Sequence, residues 1–337
     1  MKRLYVLALM SVLGIAAQNL SRPSAAAASM LPITSDAGQT GELSVMTYNV
    51  KGLPFPTAYG RVGKLAEIGE RLGGLRRSGR QPHIVLLQEA FIPEAKAIAS
   101  AAGYTYVALG PKANDAVADQ ASIDKAFAAQ ASWLKGEGLG KWVDSGLVIL
   151  SDYPIVQTRR MAFPADMCAG FDCLAAKGVL LAWVKIPGRD RPVAIADTHL
   201  NSRRASGVAI ERADMAYLRQ VAATRAFIRR NVPSGTDLIF GGDFNVGHAR
   251  ERIAAETADG GIVQDSNEAT SAADRIYGHA KQPADLAAIL IRAKDKEYFR
   301  SGTGSRLRLR DFEVPFGLAN GGSDLSDHLG YVASYSF

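Results

Sequence analysis

The chain is predicted to be α+β, a domain of antiparallel or mixed sheets with helices on their outer faces. Strand-like segments greatly outnumber helical ones, and many successive strands have no crossover helix between them, which a purely parallel sheet would need. Nothing repeats at a fixed period, and no long low-complexity linker interrupts residues 43–337, so one domain accounts for that stretch.

The elements follow in order. Met1-Lys2-Arg3 supplies positive charge, and Leu4 to Ala17 is an apolar run of signal-peptide length, with small residues at Ala16-Ala17 and Ala25 to Ala28 for cleavage. Residues 1–28 are therefore expected to be a signal peptide, directing the chain to a bacterial periplasm or exterior. Residues 29–42 are small and polar and read as a linker. Leu43 to Val50 is an apolar strand ending at Asn49. Val62 to Leu75 places Leu65, Ile68, Leu72 and Leu75 at helical intervals. Ile84 to Gln88 is a buried strand, and Glu94 to Ala102 an Ala-rich helix stopped by Gly103. Strands are expected at Tyr104 to Leu109, Ser145 to Leu150, Val179 to Ile186 and Val193 to Leu200. Pro111 to Val143 is an excursion from the core. Ser206 to Arg230 is the longest helix. Further strands are expected at Asp237 to Gly241, Leu286 to Arg292, Arg306 to Phe312 and Tyr331 to Phe337.

At 47% hydrophobic and 21% charged, the composition is that of a globular protein. Loss of Lys2, Arg3 and Arg22 with the leader lowers the net charge from +6 to +3, a mild bias toward anionic partners. Cys168 and Cys173 favour a small disulfide in an exported protein, stabilising a loop by roughly 2 kcal/mol. A metal pair would want further Cys or His ligands nearby, and there are none.

Short polar motifs end or interrupt the apolar runs: Tyr48-Asn49-Val50, Gln88-Glu89-Ala90, Asp197-Thr198-His199, Gly242-Asp243-Phe244-Asn245 and Ser326-Asp327-His328. Phosphodiester cleavage needs a cation to neutralise anionic oxygens and a base to activate water. A hard ion such as Mg²⁺ takes oxygen ligands and needs only one or two carboxylates. Glu89 suits that role, with the Asn49 amide oxygen beside it. His328 offers a general base near neutral pH, and His199 a partner for a phosphoryl oxygen or leaving group. Asp243 and Asn245, two apart on an extended segment, share a face and can orient water. Taken singly, Gly-Asp-Phe-Asn reads as a turn and a lone His as a structural donor. The ensemble is what points to a site.

In this order the motifs resemble the endonuclease/exonuclease/phosphatase superfamily, which includes deoxyribonuclease I. The resemblance spans nearly all of residues 43–337, the expected catalytic domain. It implies a four-layer α-β-β-α sandwich with the site at one end of two packed sheets. It also implies that Glu89 and Asn49 hold Mg²⁺, or Mn²⁺, Co²⁺ or Ca²⁺ as a surrogate. His328 would be the base, His199 would stabilise the phosphoryl group, and Asp243 and Asn245 would position water and transition state. Asp285 falls where the family places the acid that orients the base, and Asp327 would contribute to a second ion.

Within the superfamily the chain is most similar to the bacterial and neutral sphingomyelinase branch. The similarity lies in Asn49-Val50-Lys51-Gly52-Leu53-Pro54, Gln88-Glu89-Ala90-Phe91, the Ser145 to Ile155 stretch, and Cys168 to Ile186 with Asp172 and Lys177-Gly178. The implied activity is phospholipase C-type hydrolysis of sphingomyelin to ceramide and phosphocholine by a secreted enzyme in transient contact with a membrane surface. A monomer is the default expectation, since the sequence is silent on oligomeric state. Such enzymes carry an exposed aromatic hairpin before Ser-Asp-His, where this chain has Tyr298-Phe299 and then Arg306-Leu307-Arg308-Leu309-Arg310. The alternating arginines fit lipid headgroups, a nucleic-acid backbone or a charged edge strand. A secreted nuclease, or a phosphatase acting on inositol phosphates or another phosphoester, is the alternative.

Overall fold

The computed structural model describes residues 41–115, 124–278 and 282–337. The predicted leader and residues 29–40 of the predicted linker lie outside them. The described residues belong to one unit, Gln39–Phe337. Its strands are β1 (Glu42–Gly52), β2 (Ile84–Ala90), β3 (Tyr106–Leu109), β4 (Val148–Ser151), β5 (Ile155–Ala162), β6 (Gly178–Val184), β7 (Val193–His199), β8 (Leu238–Asp243), β9 (Asn267–Glu268), β10 (Asp295–Arg300), β11 (Arg308–Phe316) and β12 (Gly330–Ser336). The helices are α1 (Arg61–Arg77), α2 (Pro93–Lys96), α3 (Ile98–Ala101), α4 (Lys125–Ala129), α5 (Ile210–Asn231), α6 (Arg250–Thr257), α7 (Ala269–Tyr277), α8 (Ala284–Arg292) and α9 (Gly322–Leu325).

Two six-stranded sheets form, ordered β11-β12-β1-β2-β4-β3 and β5-β6-β7-β8-β10-β9. The pairs β1–β2 and β7–β8 are parallel. The other pairs are antiparallel. Period-2 alternation assigns each strand residue to a layer. Leu43, Val45, Ile84, Leu86, Ile195 and Ile239 pack between the sheets. Met46, Tyr48, Val85 and Leu87 turn outward onto Leu65, Ile68 and Leu72 of α1 and Ile98 of α3. Ala194, Ala196, Leu238 and Phe240 turn outward onto Tyr217, Val221, Phe227 and Ile228 of α5. Three apolar layers between four structural ones make the α-β-β-α sandwich that the resemblance implies.

The departures are local. Leu286 to Arg292 is helical, not a strand: Leu286 and Ile289, three apart, are the buried residues of α8. A short apolar run does not by itself distinguish strand from helix. The strand of that region is β10, whose Asp295, Lys296 and Glu297 hid it. Edge strand β5 is mostly exposed and so lacks a hydrophobic signature. The helix expected at Glu94 to Ala102 is two single turns, α2 and α3. Tyr298 and Phe299 are 9% and 5% exposed, packed on opposite faces of an interior strand. They form no exposed hairpin. Arg306, Arg308 and Arg310 are exposed as the alternation predicts. They start edge strand β11, where Arg308 pairs with Ser336, as does Glu42 at the beginning of β1. The disulfide between Cys168 and Cys173 is present. Among the described residues, no helix is long and apolar enough to cross a membrane.

Candidate active site

The inward faces of the central strands change from apolar to polar toward one end of the sandwich. In β1 the inward series is Leu43, Val45, Thr47, Asn49; in β7 it is Val193, Ile195, Asp197, His199; in β8 it is Ile239, Gly241, Asp243. Strand β10 runs the opposite way, so its polar residues come first: Asp295, Glu297, then Phe299. Registers Asn49↔Gln88, His199↔Asp243 and Asp243↔Asp295 align these ends. A buried polar layer lies beneath the site. Thr47 and Tyr335 hydroxyls donate to Glu297, and Gln88 Nε2 donates to Asp197 at 2.8 Å. Burial pushes Glu297 up to about 8.

Local backbone departures aim the reactive groups. If the alternation of β2 continued, Glu89 would face the helices with Val85 and Leu87. Its φ is instead 56°, in the left-handed region, and Lys51 in the adjoining bulge of β1 has φ 49°. The Glu89 carboxylate is thereby placed beside Asn49, whose Nδ2 donates to it at 3.1 Å. The same Nδ2 donates to Asp243 Oδ2 at 3.1 Å. Gly242 has φ 142°, and a Cβ there would lie 2.1 Å from the Thr198 carbonyl oxygen, so the β7–β8 pairing excludes a side chain.

Of the residues predicted for the site, Asn49, Glu89, His199, Asp243 and His328 meet at this end. His199 Nε2 lies 3.9 Å from Glu89 Oε1 and 3.6 Å from Asp243 Oδ2, and His328 Nε2 lies 3.7 Å from Asp243 Oδ2. Asn245 borders the cluster: its backbone N–H donates to Asp243 Oδ1 at 3.0 Å, and its side-chain amide donates to the Leu200 carbonyl. Two predicted residues are elsewhere. Asp285 accepts from the Leu318 N–H at 2.7 Å on an exposed turn and does not touch His328. The carboxylate against His328 is Asp295, 2.8 Å from Nδ1 through both oxygens. Asp327 is 58% exposed and pairs with Lys51 at 3.5 Å, outside the donor cluster. Asp327 and His328 lie in the bend between α9 and β12, which turns His328 inward to Asp295 and leaves Asp327 outward beside Lys51.

Sequence reasoning from the residues did not assign roles to Asp295, Lys177 or Lys141. Asp295 could have been found as the first of the alternating set Asp295, Glu297, Phe299. The buried Lys177 Nζ sits 3.0 Å from His199 Nε2, 3.0 Å from Asp172 Oδ1 and 3.2 Å from the Leu200 carbonyl. Lys141 Nζ is buried with no hydrogen-bond partner among the described residues. Burial pushes Lys141 down to about 8, against the Asp172 charge and with that of Lys177. Burial, then the adjacent Lys177 ammonium, holds His199 well below the ordinary imidazole range. Lys177 Nζ stands directly against His199 Nε2 at this position.

His328 behaves oppositely. Burial disfavours its charged form, but Asp295 and Asp243 outweigh burial and push it up to about 9. A raised folded value means stabilisation fully present below the unfolded value near 6.5 and lost as pH climbs through about 9. In chelator-treated protein, the stability advantage of the parent over His328→Gln should shrink by on the order of 3 kcal/mol between about pH 6 and pH 9.5. Urea unfolding at both pH values measures it. A difference that stays constant would refute the ion pair.

Among the described residues, two groups of donors lie within 4.8 Å of one another: Glu89, His199 and Asp243, and Asp243, Asp295 and His328. The second is a hydrogen-bonded imidazole between carboxylates. The first fits a hard divalent cation through Glu89 and Asp243, two adjacent carboxylates with the Asn49 amide beside them. Burial raises Glu89 above the ordinary carboxylate range, and a cation would reverse that.

The model of the Endonuclease/Exonuclease/phosphatase family matches residues 46–328. No curated protein sequence matches the chain. Several solved structures share its fold. Sphingomyelinase C from Streptomyces griseocarneus is 22% identical, with TM-score 0.56, over 88% of this chain and 99% of that one. A mutant beta toxin from Staphylococcus aureus with bound magnesium ions is 17% identical, with TM-score 0.55, over 88% of this chain and 100% of that one. D. rerio TDP2 complexed with single strand DNA product is 15% identical, with TM-score 0.56, over 88% of this chain and 99% of that one.

Proposed function

This chain belongs to the Endonuclease/Exonuclease/phosphatase family, and on that premise we propose that it is an exported, Mg²⁺-dependent phosphodiesterase of the sphingomyelinase type. The reaction is hydrolysis of sphingomyelin to ceramide and phosphocholine. The observation that carries the lipid reading is the placement of exposed aromatic side chains. Among the described residues, the strongly exposed ones are Phe55 (69%), Tyr59 (73%), Trp133 (61%), Trp142 (52%) and Phe171 (47%). They lie on segments 53–60, 110–147 and 163–177. By strand direction all three segments leave the end of the sandwich that carries the site. Trp and Tyr rings, apolar with one polar atom, favour the water–lipid boundary, and exposed Phe rings beside them can bury among acyl chains. A rim of them around a phosphodiester site suits a substrate held in a bilayer. The arginines of β11 lie at the other end, where they cannot guide a nucleic-acid backbone into the site.

The chain's own groups divide the chemistry. Asp295 accepts from His328 Nδ1–H. With the Asp243 charge offset by a cation at the Glu89–Asp243 pair, the imidazole would fall from about 9 toward neutrality, and its Nε2 would then be free to take a proton from water. Lys177, its three N–H donors held by Asp172, His199 and the Leu200 carbonyl, fixes the His199 ring at the edge of the site and adds charge beneath it without reaching the phosphoryl group. Glu89, with Asn49 alongside, would hold Mg²⁺, which supplies charge neutralisation at phosphorus when bound. Asn245, through Asp243, keeps that carboxylate in position.

Parallel assays with Mg²⁺ on sphingomyelin vesicles, plasmid DNA and phosphorylated inositols test the reading. Phosphocholine release is expected from the first. DNA cleavage without it would establish the nuclease alternative. In the triple variant Phe55→Ala, Trp133→Ala, Trp142→Ala, vesicle hydrolysis should fall about tenfold or more, while a soluble phosphodiester is cleaved within about twofold of the parent rate. Equal losses on both substrates would remove the interfacial role.

A further inference from the structure

A cavity of about 650 Å³ opens at the end of the molecule opposite the candidate active site. It lies beside Asp237, ahead of β8, whose last residue is Asp243; six strand residues separate the two ends by roughly 20 Å. Its origin is topological. On the outer face of the second sheet α5 covers Val179 and Leu181, the outward residues of β6, but the helix stops at Asn231. Trp183, next in that outward series, is only half-buried and joins the lining. Register Gln157↔Trp183 and Arg159↔Leu181 puts Arg159 on the same face.

The lining is cationic. Arg189 is committed: it donates to Asp237 at 2.6 Å and stacks on Phe337 at 3.8 Å. Arg159, Arg191 and Arg230 are exposed, line the same cavity and make no ion pair among the described residues. Among the described residues, the hydrogen bond of the Arg159 side chain is to the carbonyl of its neighbour Thr158. Asp190 is the one acid of the lining other than the engaged Asp237. Three free guanidinium groups from a strand, a turn and a helix end thus converge beside a partly uncovered indole. Guanidinium pairs with phosphate through charge-assisted hydrogen bonds, and an indole face takes a planar ring. The volume is that of small-ligand sites.

We propose that this cavity is a second, non-catalytic site for a phosphate ester bearing a planar ring, of nucleoside-monophosphate size. The chain contains three Trp. Trp133→Phe with Trp142→Phe leaves Trp183 as the sole indole, so fluorescence titration of the full chain reports on this cavity. With chelator present, adenosine monophosphate should quench Trp183, with adenosine and inorganic phosphate each at least about tenfold weaker. Adding Arg159→Gln and Arg230→Gln should weaken the nucleotide at least about tenfold and leave hydrolysis of a soluble phosphodiester at the rate of the Trp133→Phe, Trp142→Phe background. Adding Asp243→Asn should leave binding unchanged. Four outcomes would overturn the proposal: no quenching at millimolar nucleotide, inorganic phosphate binding as tightly as the nucleotide, indifference to the arginine changes, or loss of binding with Asp243→Asn. The first or third would make the arginines a merely solvated surface, the second would make the cavity an anion site that does not read the ring, and the fourth would locate the ligand in the active site.

Discussion

Asp295→Asn is expected to lower turnover by on the order of 10³–10⁴-fold, while Asp285→Asn leaves it within about threefold. The two acids compete for one role, orientation of His328, and the geometry separates them. Asp295 meets Nδ1 at 2.8 Å through both oxygens, whereas Asp285 is occupied by a backbone N–H of a distant turn. An amide in place of Asp295 would present a donor to Nδ1, favour the wrong tautomer and withdraw the charge that supports an imidazolium. His328→Ala should remove turnover to the same extent, since the two residues act as a unit, and the double variant should add little. Circular dichroism on each variant separates a lost base from a lost fold. Comparable activity in Asp295→Asn and the parent would exclude His328 as the base.

Glu89→Gln should reduce kcat by on the order of 10²–10³-fold and raise the Mg²⁺ concentration needed for half-maximal activity. The change keeps shape and removes one of two carboxylates that share the Asn49 amide. Asp327→Asn is the contrasting variant. Its side chain is 58% exposed and engaged with Lys51, so activity and ion requirement should stay within about threefold of the parent. Chelation should abolish activity, and Mg²⁺ should restore it. If Asp327→Asn proved as damaging as Glu89→Gln, the ion would have to bind outside the sandwich, on the Lys51 side.

The site was legible where chemistry coincided with periodicity. Asn49, His199 and Asp243 each continue the inward-facing apolar series of a strand, so a strand and its active residue were read together. Glu89 broke the alternation. It was still recognisable from its motif, but the left-handed backbone that redirects it has no signature in the residue itself. Asp295 escaped because β10 begins with three charged residues, and a strand whose inward face carries Asp and Glu resembles a loop. Asp285 precedes an apolar run and so falls where the resemblance expects the orienting acid, yet that run folds as α8, with Leu286 and Ile289 buried on one face.

Local patterns by themselves determined the alternating strands, the long helix, the disulfide and the chemical type of most of the site, because each depends on residues a few positions apart. The tertiary structure alone decided which carboxylate faces His328, that Lys177 stands against His199, and that the aromatic rim and the arginine cavity occupy opposite ends. Those outcomes depend on burial and on distances between groups brought together by sheet register, and on the competition between desolvation and neighbouring charge at each position. Such quantities exist only once distant segments are packed against one another.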